Sequence, residues 1–390
     1  MKQYDFDEEI ERRGTNCLKY DGLAERYGRT DLTPMWVADM DFRTPAFITD
    51  ALLERCQHPI FGYTLEPEEY RPTIISWLRE LYGWDVQSEW LSYIPGIVKG
   101  IAVALDVFTS RGDRVIVQTP VYHPFMLVPE RMGREVVYNP LRMVDGAYEM
   151  DFEQLESVVD GCKALILSSP HNPAGIVWEK AVLQRLASIC SRSGTLVISD
   201  EIHAEMVFSG YEHHPFATVS AEAAANSITF MAPSKTFNIA GIVSSYAIVP
   251  DERIRREFYG FLSATELNEA PIFSYIAPIA AYGNGAEWRR QMVEYVEGNV
   301  DFVDKYIRAN ISQIRVYRPQ ASFLIWLDCR GLGLSQRELV RLFIDGAHLA
   351  LNDGAMFGIG GEGFMRMNVG CPRRTVASAL EALRAAVPGY

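Results

Sequence analysis

Short, continuous apolar runs punctuate the middle of the chain at 114–118, 164–168, 196–199, 228–231 and 245–249. Each is too short for a helix and shows no polar alternation, which predicts strands buried on both faces. Between and after them, residues 179–192 and 251–264 carry apolar positions at helical spacing. The stretch 97–108 predicts a further helix, with Ile97, Ile101, Ala104 and Phe108 on one face. Upstream, a helix is expected over 46–57 with Thr44 as its N-cap, then a turn at 61–64. Pro67 opens another helix that Gly83 can end after Tyr82. Residues 1–45 read as an irregular arm.

Strands alternating with helices predict an α/β fold around a mostly parallel sheet covered on both faces. Such sheets bind ligands beyond the carboxyl ends of their strands. Polar clusters fall there at 119–122, 169–172, 200–203 and 234–235. The last third differs. A long helix is expected over 286–310, strands at 314–317, 322–327 and 364–368, and a final helix from Pro372. This predicts a smaller α+β domain over 276–390, to which the arm 1–45 contributes, beside a large domain over 46–275.

Composition narrows the function classes. The chain has 390 residues, 48% hydrophobic and 22% charged, as expected of a folded soluble protein. A formal net charge of -13 disfavours nucleic acid as a partner. The six cysteines form no C-x-x-C pair, which suggests neither a zinc site nor a disulfide framework and fits a cytoplasmic protein. The polar first residues do not resemble a signal peptide, and no apolar run approaches the ~18 residues of a membrane span.

One lysine, Lys235, sits just past the run 228–231 among the small residues Ala232, Ser234, Ala240 and Gly241. Apolar walls favour its neutral amine, which can form a Schiff base with an aldehyde. Alone, such a lysine reads equally well as a solvated turn residue. Asp200 ends an earlier strand, 35 residues before it. By itself it is an ordinary cap or turn aspartate, but a carboxylate there can also keep a pyridine nitrogen protonated. Asn172, in Pro170-His171-Asn172-Pro173, can offer an amide donor from a fixed turn. Pro95-Gly96-Ile97-Val98 opens a helix whose free N–H groups suit a phosphate. Tyr122 follows another strand and could stack on a flat ring.

Together these stretches resemble the fold-type I pyridoxal 5'-phosphate (PLP) enzymes of the class I/II aminotransferase superfamily over nearly the whole chain. Residues 34–42, Pro-Met-Trp-Val-Ala-Asp-Met-Asp-Phe, are similar to the cystathionine β-lyase branch of MalY/PatB type. So are 199–203, 233–239 and 364–373. The resemblance implies the PLP-dependent transferase fold and a role for each residue. Lys235 would hold PLP as a Schiff base and Asp200 would pair with its ring nitrogen. Asn172 and His203 would share its phenolic oxygen, and Tyr122 would stack on the ring. The amides of Ile97 and Val98, with Ser234, would hold the phosphate. Tyr63 would reach the phosphate of the neighbouring subunit in a homodimer, and Arg366 would clamp the substrate carboxylate. The arm around Trp36 should pack near the cleft. Two positions depart from many relatives: Ala232 replaces a hydroxyl residue and Val243 an arginine.

The implied reaction is C–S β-elimination from a cysteine S-conjugate, giving thiol, pyruvate and ammonia. An aminotransferase would use the same residues. A regulatory protein that binds PLP without turnover is a third reading, disfavoured by the intact Lys235, Asp200 and Arg366.

Overall fold

The computed structural model describes residues 3–144 and 146–387. Its main sheet has seven strands. From one edge they run Leu91–Ile94, Ser245–Ile248, Ser227–Met231, Leu196–Asp200, Cys162–Ser168, Arg114–Val117 and Glu135–Tyr138. Only Ser245–Ile248 runs against its neighbours; every other pairing is parallel. All five predicted strands are present within one or two residues. The sheet is mixed and mostly parallel, as the alternation of strands and helices predicts.

Alternation along the strands builds two cores, because successive side chains point to opposite faces. Val115, Val117, Ala164, Ile166, Ile198, Ile228 and Phe230 pack on one face with the helices Ile97–Phe108 and Glu252–Ala264. Ile116, Leu165, Leu167 and Val197 pack on the other with the helix Lys180–Ser193. Burial on both faces is why these strands read as continuous apolar runs. The helix Ile97–Phe108 lies close to the sheet because position 100 is glycine. A Cβ there would come within 2.6 Å of Ile94 Cδ1 and 3.1 Å of Phe230 Cζ.

A second, antiparallel sheet is ordered Arg315–Tyr317, Leu324–Asp328, Phe364–Asn368 and Asn352–Asp353. The helix Ala286–Asn310 has the predicted bounds and buries Trp288, Met292, Val296, Val300, Val303 and Ile307 at helical spacing. The last helix, Arg373–Ala386, follows Pro372 as its N-cap. None of the helices among the described residues is long and apolar enough to cross a membrane.

Three local expectations are corrected. Residues 1–45 are not wholly irregular. They contain the short helices Leu18–Asp21 and Leu23–Tyr27, and Thr33–Pro34 pairs with Leu349–Ala350. Thr44 does not cap the helix Ala46–Gln57; Pro45 is the N-cap residue, and the Thr44 hydroxyl donates to the Asn238 carbonyl at 3.2 Å. Residues 61–64 form no turn, and the second helix begins at Tyr70 rather than Pro67. Gly83 does end that helix, in the left-handed conformation.

Phe230 fills the space between the sheet and its two helices and is fully buried. Phe230→Ala should cost about 3–5 kcal/mol, read as a lowered urea midpoint. A loss below ~1 kcal/mol would contradict this packing.

Candidate active site

The parallel strands all end on the same edge of the main sheet, and the polar clusters follow them there. Ile97, Val98, Tyr122, Asn172, Asp200, His203 and Lys235 line one cavity with Ala38, Phe125, Ser168 and Ile202. Seven of the ten residues singled out from the sequence therefore share one wall. Arg366 joins them through Asn172, to which its Nη1 donates at 2.8 Å. Ser234 is buried next to Lys235 but is outside the lining. Tyr63 is fully exposed in the extended stretch 58–66, and one chain does not bring it to the cavity.

Lys235 leaves the loop that follows the strand Ser227–Met231, and its Nζ donates to the Ala38 carbonyl at 2.6 Å. Burial pushes the amine down to about 8, helped by the charge of Arg366 and opposed by Asp39 and Asp200. Asp200 is the last residue of its strand. Its Oδ1 accepts from the Ile202 amide at 3.0 Å, and the carboxyl is in no ion pair among the described residues. Burial raises it to about 7.

Arg366 is buried and donates only to neutral groups: Asn172 Oδ1, the Trp36 carbonyl at 3.1 Å and Asn352 Oδ1 at 2.6 Å. Its Nε is buried without a partner. Desolvation pulls the guanidinium down to about 10. A buried cation with an unused donor and no anion is a ready carboxylate site. Because Asn172 Oδ1 accepts from Arg366, the Asn172 amide nitrogen is left to donate into the cavity.

His203 is buried, with Nδ1 3.1 Å from the Ser322 hydroxyl. Burial first, then Lys235 and Arg366, push its imidazole down to about 3, so it is neutral. If Ser322 donates to Nδ1, Nε2 carries the proton and is a donor. The helix Ile97–Phe108 starts at Gly96, at φ 108, with no side-chain cap, so its first amides are unclaimed. Ala232 is buried and supplies no hydroxyl. Val243 stands beside the helix start: a Cβ on Gly96 would lie 3.9 Å from its Cγ1.

The arm packs at the cavity, as its aromatic sequence suggested. Trp36 and Ala38 present carbonyls to Arg366 and Lys235. Asn238, at φ 56, holds the next turn of the arm, accepting from the Met40 amide and donating to the Met40 and Phe42 carbonyls. Asn368 donates to the carbonyls of Val37 and Asp39, both at 2.6 Å. Ala38, Asn238, Asn352 and Asn368 were not singled out from the sequence. A backbone carbonyl leaves no residue signature, whereas Asn238 and Asn368 lie inside the quoted motifs and could have been found there.

The residues fit PLP on the structure's own terms. An unpaired buried carboxyl, a desolvated lysine amine, free helix amides and two neutral donors surround one space. A family profile described as aminotransferase class I and II matches residues 39–383. The chain is 41% identical to cystathionine beta-lyase PatB of Bacillus subtilis over 98% of this chain and 99% of that protein. It is 31% identical to protein MalY of Escherichia coli, again over 98% and 99%. Cystalysin of Treponema denticola, solved with a pyridoxal 5'-phosphate cofactor, superposes with a TM-score of 0.95 at 33% identity, covering 99% of each chain.

The unpaired state of Asp200 has a pH signature. Its pKa rises from 3.8 to about 7, so between those values the folded chain holds a proton that the unfolded chain has lost. The stability this proton confers is whole below about pH 4 and gone once the pH passes about 7. In the ligand-free chain, Asp200→Asn should match the parent near pH 4 and exceed it by a few kcal/mol above pH 7 in urea unfolding. A pH-independent difference would contradict an unpaired buried carboxyl.

Proposed function

The chain belongs to the class I and II aminotransferase family, and we propose that within it the protein is a PLP-dependent C–S β-lyase cleaving cysteine S-conjugates such as cystathionine to a thiol, pyruvate and ammonia. One observation carries the reading: buried Asp200 and Arg366 and half-buried Lys235 surround one site, and none of the three is in an ion pair among the described residues. A protonated pyridine nitrogen would complement Asp200 and an amino-acid carboxylate Arg366, while an aldehyde would react with the neutral amine of Lys235. The lyase rather than the transaminase outcome is supported by the identity to PatB across nearly the whole of both chains and by Val243 in place of an arginine.

The residues divide the work. Lys235 would hold the cofactor and Asp200 would pair with its ring nitrogen. The Asn172 amide and His203 Nε2 would donate to its phenolic oxygen, while Tyr122 would stack on the ring. The amides of Ile97 and Val98, with Ser234, would take the phosphate. When bound, the cofactor supplies an electron-withdrawing ring that accepts the electron pair left at the substrate Cα. Arg366 grips the substrate carboxylate and fixes which Cα bond faces Lys235. Once the substrate's amino group has displaced Lys235 from the cofactor, the freed amine, which burial pushes down to about 8, would take the Cα proton and hold it on Nζ. A thiol ionises near ~8.5, so sulfur departs from Cβ far more readily than hydroxide would.

A homodimer with shared sites belongs to the same reading. Residues 58–66 expose Ile60, Phe61, Tyr63 and Leu65 on one stretch outside any helix or strand. Such a patch suits a second copy, with Tyr63 of the partner subunit reaching the phosphate. Tyr63→Phe should then lose PLP several-fold faster on dialysis at an unchanged unfolding midpoint. Equal retention, or an active monomer in sedimentation, would count against the shared site.

The chemistry is tested by its products. L-cystathionine should yield pyruvate, ammonia and a new thiol with no added keto acid. Arg366→Ala should lower kcat/KM at least a hundredfold, because a bidentate charged contact and its orientation vanish together. Turnover that requires a keto acid and returns its amino acid would replace the lyase with an aminotransferase.

A further inference from the structure

Arg366 and Lys235 account for the amino-acid end of a substrate, but not for its far end. Two side chains beside the cavity are unused by the mechanism. His123 directly follows Tyr122, and their rings meet edge to face at 5.2 Å. Its Nδ1 is buried without a hydrogen-bond partner. Arg26 lies over the Trp36 ring, with Cζ 5.6 Å from the centroid. Trp36 is the residue whose carbonyl receives Arg366 Nη2. Arg26 is thus seated on the segment that holds the carboxylate clamp, yet it is exposed and in no ion pair among the described residues.

The local electrostatics are one-sided. Burial, then the guanidiniums of Arg366, Arg26 and Arg131, push His123 down to about 4, and no carboxylate acts on it. In a chain of net charge -13, this is a local reversal of sign. His123 is therefore neutral and carries one N–H to donate, while Arg26 supplies an uncompensated charge. Each adjoins a residue of the site, His123 through the Tyr122 ring and Arg26 through the Trp36 ring.

We propose that Arg26, with His123 as a second donor, forms a specificity subsite for the carboxylate at the far end of a dicarboxylic sulfur amino acid of the cystathionine or cystine kind. The proposal rests on the lyase reading and names the substrate class within it. The inner carboxylate goes to Arg366 and the outer one to Arg26, so both ends are held while the C–S bond lies between them. A short neutral thioether such as S-methyl-L-cysteine reaches only the inner clamp. Arg26 touches no reacting atom, so its contribution falls on binding.

The test compares L-cystathionine with S-methyl-L-cysteine on the holoenzyme of the parent, Arg26→Gln and Arg26→Lys. A charge-assisted contact at a partly solvated site corresponds to about a tenfold effect. Arg26→Gln should raise KM for L-cystathionine about tenfold with kcat within about twofold, and leave both constants for S-methyl-L-cysteine unchanged. Arg26→Lys should recover part of the loss, and His123→Phe should raise the same KM by a smaller factor. High salt should shrink the parent's advantage for L-cystathionine, as screening requires. Parallel changes for both substrates, or none for L-cystathionine, would overturn the subsite while leaving the lyase reading intact. A parent that cleaves neither substrate would overturn the lyase reading, and the subsite with it.

Discussion

Holding charged groups out of water without giving them counter-charges is the constraint on which this structure turns. Lys235, Asp200 and Arg366 are each desolvated, and each is displaced toward its neutral form as a result. An isolated buried charge is expensive, so the surrounding fold must hold it in place. The sheet does so by ending its parallel strands on one edge and packing both faces with helices. The polar residues that follow those strands then have nowhere to go but a common cavity.

The arm completes the enclosure. Its carbonyls at Trp36 and Ala38 receive Arg366 and Lys235, so one stretch of backbone touches both the clamp and the base. That stretch is held from several sides. Asn238 and Asn368 bond its carbonyls, while Arg12 reaches Asp39 at 2.8 Å and Asp41 at 2.6 Å. Lys19, itself fully buried, pairs with Asp41 at 2.7 Å. These charges, unlike those of the cavity, are matched. The contrast separates two uses of buried charge: paired where the arm is fixed, unpaired where a ligand is to bind.

Much of this was legible in the sequence, for identifiable reasons. Strands buried on both faces leave continuous apolar runs, and the helix Ala286–Asn310 is amphipathic, so both were found. Asp200, Asn172, Tyr122 and Lys235 were recognisable because strand-end positions in such sheets face a ligand. The helix Ile272–Asn284 escaped notice because it contains Pro278 and is buried around most of its surface, which erases its period. The edge strand Leu91–Ile94 is too short to declare itself. Thr44 had the chemistry of a cap but spends its hydroxyl on Asn238, a contact 194 residues away. The carbonyl of Ala38 could not be read at all, since every residue has one.

The central claim is that the amine of Lys235, held desolvated against the Ala38 carbonyl, is the point at which the cofactor is bound. Borohydride reduction of the protein incubated with PLP, followed by peptide mass mapping, addresses it directly. The account predicts one stoichiometric pyridoxyl modification, on Lys235, and its absence in Lys235→Ala. Modification at another lysine, or none at all, would contradict it.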